Sequence, residues 1–338
     1  MKKKVCFFSS EGIEQIYKQQ YSIQDIQILQ ELGFEVIVSS KLKEIPHSVD
    51  LYFGWWATGS ILPLLVAKFL RKPIIIIAGG NETLIYKDSM TKTPAGYLAA
   101  PWYKKLAARL SIKFADEIVV VSKFMEKGIK EITNRKVKMI HNSVNTQLFK
   151  PKKDVREFIT IIAHKSNDHW RLKRIPEFLK AVSIVIKDYP DQRFLVLGGK
   201  LGKDDLLYEL CKELHILKNV TFMDLIPNIE VPRYINRSLC YVQISDTETF
   251  GVAVAEALSC NIPVIVSKNG ALPEIVRDYG LYVDHNDPKS IASGIIKVIR
   301  NYEFSSYESF ESREWIKENF SYEKRKKEIS KLISTYIK

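Results

Sequence analysis

Between Tyr241 and Val276 the chain leaves little choice of fold. An apolar run ends at Ile244, a polar loop carries Ser245, Asp246, Thr247 and Glu248, a helix opens near Gly251, and a second apolar run follows from Pro263 to Ser267. Strand, loop, helix and buried strand in that order make one crossover unit of a parallel sheet, because parallel neighbours need a connection of this length. The loop-to-helix junction has the physics of an anion site. The amides of Phe250, Gly251 and Val252 would be first-turn donors without helical partners, and the helix dipole favours negative charge in front of them. Gly251 lets a ligand approach the backbone. Were Glu248 and Glu256 in one helix, eight residues would set them about 80° apart; with Glu248 in the loop, both can face one cleft. A carboxylate beside such amides suits sugar and ribose hydroxyls better than phosphate. Glu256 lies among Val252, Ala253, Val254, Ala255, Ala257 and Leu258, so its charge needs a partner.

The same alternation runs along the chain. Val5–Phe8 reads as a buried strand, followed by a helix with Ser22 as N-cap and Gly33 as its stop. Strands at 34–38, 49–53 and 73–78, with a helix at 60–70, lead to the loop Gly79-Gly80-Asn81-Glu82 at a strand's carboxyl end, where open α/β sheets bind ligands. An irregular segment, 86–101, precedes a basic amphipathic helix at 102–114, on which Trp102, Tyr103, Leu106, Ala107 and Leu110 can share a face. Glu117–Val121 reads as a strand, and Ser122 caps the next helix. The polar loop from Ile140 to Pro151 then interrupts the pattern; Asn142, Ser143 and Asn145 supply turn geometry, and Val144 and Phe149 anchor it. A second alternation starts at Phe158 and ends with the helix 288–299, and 306–338 reads as two helices broken near Asn319-Phe320. At 338 residues the chain has room for two such α/β halves.

Glu248, seven residues, then Glu256, with Phe250-Gly251 between and Pro273-Glu274-Ile275-Val276 beyond, resembles the signature of GT-B fold glycosyltransferases, retaining family 4 (glycosyl transferases group 1). The loop Ile140–Pro151 is similar to the segment joining that family's two domains, and Phe320-Ser321-Tyr322-Glu323 to its terminal crossing. The resemblance implies two doubly wound Rossmann-like domains facing a central cleft. Residues 1–150 would bind the acceptor, 151–321 the donor, and 322–338 would pack back on the first domain. It also implies transfer of a sugar from a UDP-, GDP- or ADP-sugar to a glycan, lipid or other hydroxyl, with retention and without a metal. Glu248 would contact the donor sugar and Glu256 the ribose, while Phe250, Gly251 and Val252 meet the diphosphate. Backbone near Leu225 would read the base. Lys173 would neutralise the diphosphate with Arg171 or Lys165; Arg174 fits a basic surface loop. In the first half Gly12 stands where two glycines are common. Gly80, Asn81 and Glu82 occupy the acceptor or sugar side, where many members carry His-Gly-x-Asp, so Asn81 or Glu82 would replace the His.

A formal charge of +12 admits an anionic membrane surface or a nucleic-acid partner beside ordinary solvation, so a DNA-directed transferase is one alternative. A GT-B epimerase and a non-catalytic sugar-nucleotide binder are the others. No uninterrupted apolar run reaches the roughly 18 residues of a membrane span. The apolar core after Met-Lys-Lys-Lys is too short for export, which leads to the expectation of a cytoplasmic protein, peripheral on the inner face of a membrane. Cys6, Cys211, Cys240 and Cys260 sit in or beside apolar elements and read as reduced thiols, and neither they nor the six His show metal-ligand spacing.

Overall fold

Parallel pairing organises both halves of the computed structural model, which describes residues 2–87, 93–164, 167–199, 201–202, 205–304 and 310–337. One compact unit comprises Met1–Ser143 with Tyr322–Lys338, the other Val144–Ser321. The first unit runs β1 (Lys4–Ser9), α1 (Ile13–Ile16), α2 (Gln20–Glu31), β2 (Glu35–Ser39), β3 (Leu51–Trp55), α3 (Ile61–Phe69) and β4 (Ile74–Ala78). It continues through β5 (Ile85–Lys87), β6 (Pro94–Gly96), α4 (Trp102–Phe114), β7 (Glu117–Val120), α5 (Lys123–Lys130) and β8 (Lys138–Met139). The sheet order is β2-β1-β3-β4-β7-β8, all parallel. Its central strands are apolar without alternation because helices cover both faces. Strand order reverses between β1 and β3, which opens a crevice at their carboxyl ends.

Local expectations fare differently. Ser122 caps α5, its Oγ accepting the Met125 amide at 3.2 Å, and Gly33 ends α2 at φ 92°. Ser22 is no cap: α2 starts at Gln20, two residues before the hydroxyl, which is buried inside the helix. In α4 the packed face is Ala108, Ser111 and Ile112, while Trp102, Tyr103 and Leu106 stay exposed. Small side chains allow close approach to α3, and the bulkier row is left outside. The segment read as irregular contains the antiparallel pair β5–β6.

The second unit runs β9 (Phe158–Ile162), α6 (Asn167–Leu172), α7 (Ile175–Val185), β10 (Arg193–Leu197), α8 (Leu206–Glu213), β11 (Val220–Met223) and α9 (Val231–Asn236). Then come β12 (Ser238–Gln243), α10 (Val252–Ser259), β13 (Val264–Val266), α11 (Leu272–Val276), β14 (Gly280–Tyr282), α12 (Pro288–Phe304) and α13 (Phe310–Phe320). Its parallel sheet has the order β11-β10-β9-β12-β13-β14 and reverses between β9 and β12. Phe178, Phe194, Val182 and Ile295 lie in the core between helices and sheet. The stretch after β9, expected to be a loop, contains α6, pinned by buried Trp170. Asn145 Oδ1 accepts the Gln147 and Leu148 amides, and Val144 and Phe149 are buried, so the polar loop has the expected turn and anchors. Arg313 ties it down by donating to the Thr146 and Phe149 carbonyls.

The last helix, α14 (Tyr322–Ile333), belongs to the first unit. Ile329, Leu332 and Ile333 are buried as its apolar stripe. Beside them, buried Arg325 grips buried Asp25 in a two-point pair of 2.7 and 2.8 Å, and donates to the His141 carbonyl at 2.6 Å. Trp55 Nε1 donates to the same carboxylate at 2.9 Å.

Candidate active site

The reversal between β9 and β12 places two loops side by side at the carboxyl edge of the second sheet. Lys173, at the start of α7, and Glu248, ahead of α10, meet there at 2.6 Å. Gln243 Nε2 donates to the same oxygen, Oε2, at 2.5 Å, and is itself fixed by the Tyr241 hydroxyl donating to its Oε1 at 2.9 Å. Both donors fall on Oε2, so Oε1 keeps its acceptor capacity among the described residues. The backbone of Glu248 is equally fixed: Ala271 N donates to its carbonyl at 2.8 Å, and a Cβ on Gly270 would stand 2.3 Å from that oxygen.

Gly251 is the N-cap of α10 at φ 98°, a left-handed position that a side chain would strain. Phe250 is buried edge-on against Phe320 and anchors the junction from behind. The first-turn amides from Val252 onward therefore start from a rigid point. One turn further, Glu256 is 7% exposed, and its Oε1 has the Asn228 amide at 3.5 Å. Burial pushes its carboxyl up to about 8, and the Asn228 contact only partly opposes this. It is therefore protonated at neutral pH until something supplies hydroxyl donors.

Beside this pair lies a network that sequence reading missed. Arg174, expected at the surface, is 1% exposed and in left-handed conformation at φ 55°. Its Nε donates to Asp246 Oδ1 at 2.7 Å, and the Asp246 amide donates to the Leu172 carbonyl at 2.9 Å. His285 Nε2 stands 3.1 Å from the same carboxylate oxygen. The residues flanking Lys173 and Glu248 are thus clamped to each other. Arg171 is exposed on α6, and Lys165 lies outside the described residues. Leu225 is exposed beyond β11, beside Met223, whose carbonyl takes the Gly198 and Gly199 amides.

The remaining expected positions lie at the carboxyl edge of the first sheet. Gly12 caps α1 at φ 89° with open space where a Cβ would point. Asn81 opens the 3-10 turn Asn81–Thr83, and its side chain lies outside the described ones. Glu82 Oε1 accepts the Ala57 amide at 3.2 Å, and burial pushes its carboxyl up to about 7. Gly80 sits beneath Glu82 and the Trp56 ring, so close that a Cβ would meet each within 2.4 Å.

Two parallel-sheet units with polar loops gathered at their reversal points define a GT-B protein, and solved structures share the architecture. Anabaena Alr3699/HepE, in complex with UDP and glucose, superposes with a TM-score of 0.79 at 15% identity, covering 98% of this chain and all of that one. The sucrose-phosphate synthase of Thermosynechococcus elongatus does so at 0.77 and 16%, covering 99% of each chain. The model of the family described as glycosyl transferases group 1 matches residues 139–320, and the chain belongs to that family. Among its relatives, the N-acetyl-alpha-D-glucosaminyl L-malate synthase of Bacillus anthracis is 22% identical over 91% of this chain and 81% of its own length. The O-antigen chain mannosyltransferase RfbU of Salmonella typhimurium is 23% identical over 79% of this chain and 77% of its own. The chain is a glycosyltransferase. The DNA-directed, epimerase and non-catalytic alternatives are not favoured by these findings.

Proposed function

We propose that the chain moves a sugar from a nucleotide-diphosphate sugar to a hydroxyl of a glycan or lipid-linked acceptor, with retention of configuration and without a divalent cation. The observation that carries this reading is the Lys173–Glu248 pair in front of the α10 amides, with buried Glu256 one turn behind. As the glycosidic bond breaks, negative charge grows on the leaving diphosphate. Lys173, Arg171 or Lys165, and the amides at Gly251 take that charge. Glu248 Oε1 receives a hydroxyl of the donor sugar, Glu256 the ribose hydroxyls, and backbone near Leu225 the base. The leaving phosphate oxygen accepts the acceptor's proton on the same face. HepE, in complexes with UDP and with UDP-glucose, supports a uridine donor as the first to try.

The test is a thermal-shift panel of UDP, GDP, ADP and their sugar conjugates, without and with magnesium. One nucleotide at about 100 times its Kd adds roughly 2.7 kcal/mol of stability. A metal-free shift lost in Glu256→Ala supports the reading; no shift with any nucleotide sinks it. Retention is read from the anomeric coupling of the first product by NMR, where an inverted product refutes it.

Glu256 adds a pH signature. Its folded value, about 8, lies above the ordinary 4.5, so its contribution to stability is complete below 4.5 and is lost as pH rises through 8. Glu82, raised to about 7, acts in the same direction. Ribose hydroxyls favour the ionised form, so nucleotide binding is expected to release a proton and to strengthen between about pH 6 and 8. Calorimetry in buffers of different ionisation enthalpy measures that proton. The same proton release in Glu256→Gln would assign it to another group.

The proposal extends to an anionic membrane surface that the first unit would meet. Among the described residues no helix is long and apolar enough to cross a membrane. Leu65 and Phe69 on α3, and Trp102, Tyr103 and Leu106 on α4, are nevertheless exposed, with Lys104, Arg109 and Lys113 on the same helix. Aromatic and basic side chains together suit an anionic lipid surface. Flotation with anionic vesicles, reduced by salt and by Phe69→Ser with Trp102→Ser, is expected. Absence of flotation with anionic and neutral vesicles alike would remove the membrane from the proposal.

A further inference from the structure

The carboxyl edge of the first sheet gathers side chains from three strand ends and one helix. Glu11 follows β1, Trp56 follows β3, Glu82 follows β4, and Tyr21 comes from α2. They lie at the order reversal between β1 and β3, where a doubly wound sheet binds its ligand. The Tyr21 hydroxyl donates to Glu11 Oε2 at 3.0 Å, and the Ser9 hydroxyl reaches the same oxygen at 3.4 Å. Tyr21 and Trp56 meet edge to face, ring centroids 5.4 Å apart. The Trp56 indole and the Glu82 carboxylate converge over Gly80, where a Cβ would be 2.4 Å from the ring and 2.2 Å from Glu82 Oε2.

Two features of this cluster call for a ligand. Trp56 Nε1 is shielded from solvent and has no hydrogen-bond partner among the described residues. Its backbone holds φ 70°, a left-handed conformation that is strained for a bulky residue and is retained where surrounding structure imposes it. The second feature is the sign of the charge. Glu11 raises the cost of ionising Glu82, whose carboxylate is compensated among the described residues by amides, that of Ala57 and its own. An indole edge with carboxylates and a phenol fits a ring that is apolar on its C–H face and rich in hydroxyl donors at its rim. Phosphate or carboxylate brought to the same place would meet two like charges.

We infer that this edge holds the acceptor as an uncharged sugar ring, with Trp56 as its apolar support and Glu11 and Glu82 receiving its hydroxyls. The inference rests on the transferase reading above and narrows it: the group that is glycosylated is a neutral hexose unit, not a sugar phosphate, a uronic acid or a lipid phosphate.

The experiment uses the full chain and the nucleotide sugar selected by the thermal-shift panel. The acceptor probes are aryl hexosides, the corresponding hexose 6-phosphates and hexuronic acids. Transfer to aryl hexosides is expected, with both anionic sets at least about tenfold poorer in kcat/KM, the effect of one unfavourable charge contact. Trp56→Ala and Glu11→Gln should each raise the acceptor KM roughly tenfold, as for one lost contact to a charged or aromatic group, with the nucleotide Kd unchanged. Trp56→Phe should recover part of the loss, and it carries the test with Glu11→Gln if Trp56→Ala does not fold. Equal or better transfer to the anionic probes overturns the inference. So does an acceptor KM that no variant changes, or a bound donor that reaches no hexoside. A chain that binds no nucleotide refutes the transferase reading itself, a result distinct from all of these.

Discussion

Lys173→Met is expected to lower kcat/KM by about 10²–10³, some 3–4 kcal/mol of transition-state stabilisation, the scale of removing one preorganised charge from a leaving group. The loss should fall mainly on kcat, because the charge that Lys173 meets is largest when the glycosidic bond is broken. Geometry adds a second expectation. Lys173 Nζ and Glu248 Oε2 are 2.6 Å apart and both side chains are mostly shielded. In Lys173→Met the Glu248 carboxylate keeps, among the described side chains, the Gln243 amide, so its charge opposes the arriving diphosphate. Glu248→Gln alone should lower kcat by removing the acceptor for the sugar hydroxyl, yet it should not weaken nucleoside diphosphate binding. The double variant should bind the diphosphate more tightly than Lys173→Met does. A thermodynamic cycle over the four proteins measures this coupling. A kcat unchanged in Lys173→Met would place the diphosphate elsewhere.

The parts of this site that could be read from sequence are those whose cause is local. Gly251 announces a left-handed cap because few other residues tolerate φ 98°. Glu256 in an apolar helix announces a buried carboxylate in want of a partner. The strands were legible because a sheet covered on both faces needs unbroken apolar runs. What stayed hidden depends on residues far apart in the chain. Arg174 follows Lys173 and looks like one more surface base, yet its partner Asp246 is 72 residues away, and only the adjacency of β9 and β12 joins them. Trp56 gives no sign in sequence of its positive φ, because neighbours impose that conformation against local preference. On α4 two faces were apolar enough to pack, and steric fit decided for Ala108, Ser111 and Ile112. Ser22 has the right chemistry for a cap but sits one turn too late, so tertiary burial overrode the capping preference.

Arg325→Met is expected to destabilise the first unit by roughly 3–5 kcal/mol, the cost of leaving one member of a buried ion pair without the other. Asp25 is fully buried and Arg325 nearly so, and the pair is two-pronged at 2.7 and 2.8 Å. After substitution Asp25 would keep, among the described side chains, the Trp55 indole donor, and the His141 carbonyl would lose its 2.6 Å bond. Apolar replacement of both partners is often neutral in a buried pair, but here it takes the acceptor from Trp55 Nε1 and the Arg325 donor from the His141 carbonyl. Asp25→Leu with Arg325→Met should therefore regain only part of the stability. Amide hydrogen exchange resolved to peptides of β1 and β3 is the right measurement, because it reports the opening of this unit by itself. Faster exchange there, with no change in β9 and β12, is the expected pattern. A loss below about 1 kcal/mol would mean that water reaches the pair, and that α14 is held chiefly by Ile329, Leu332 and Ile333.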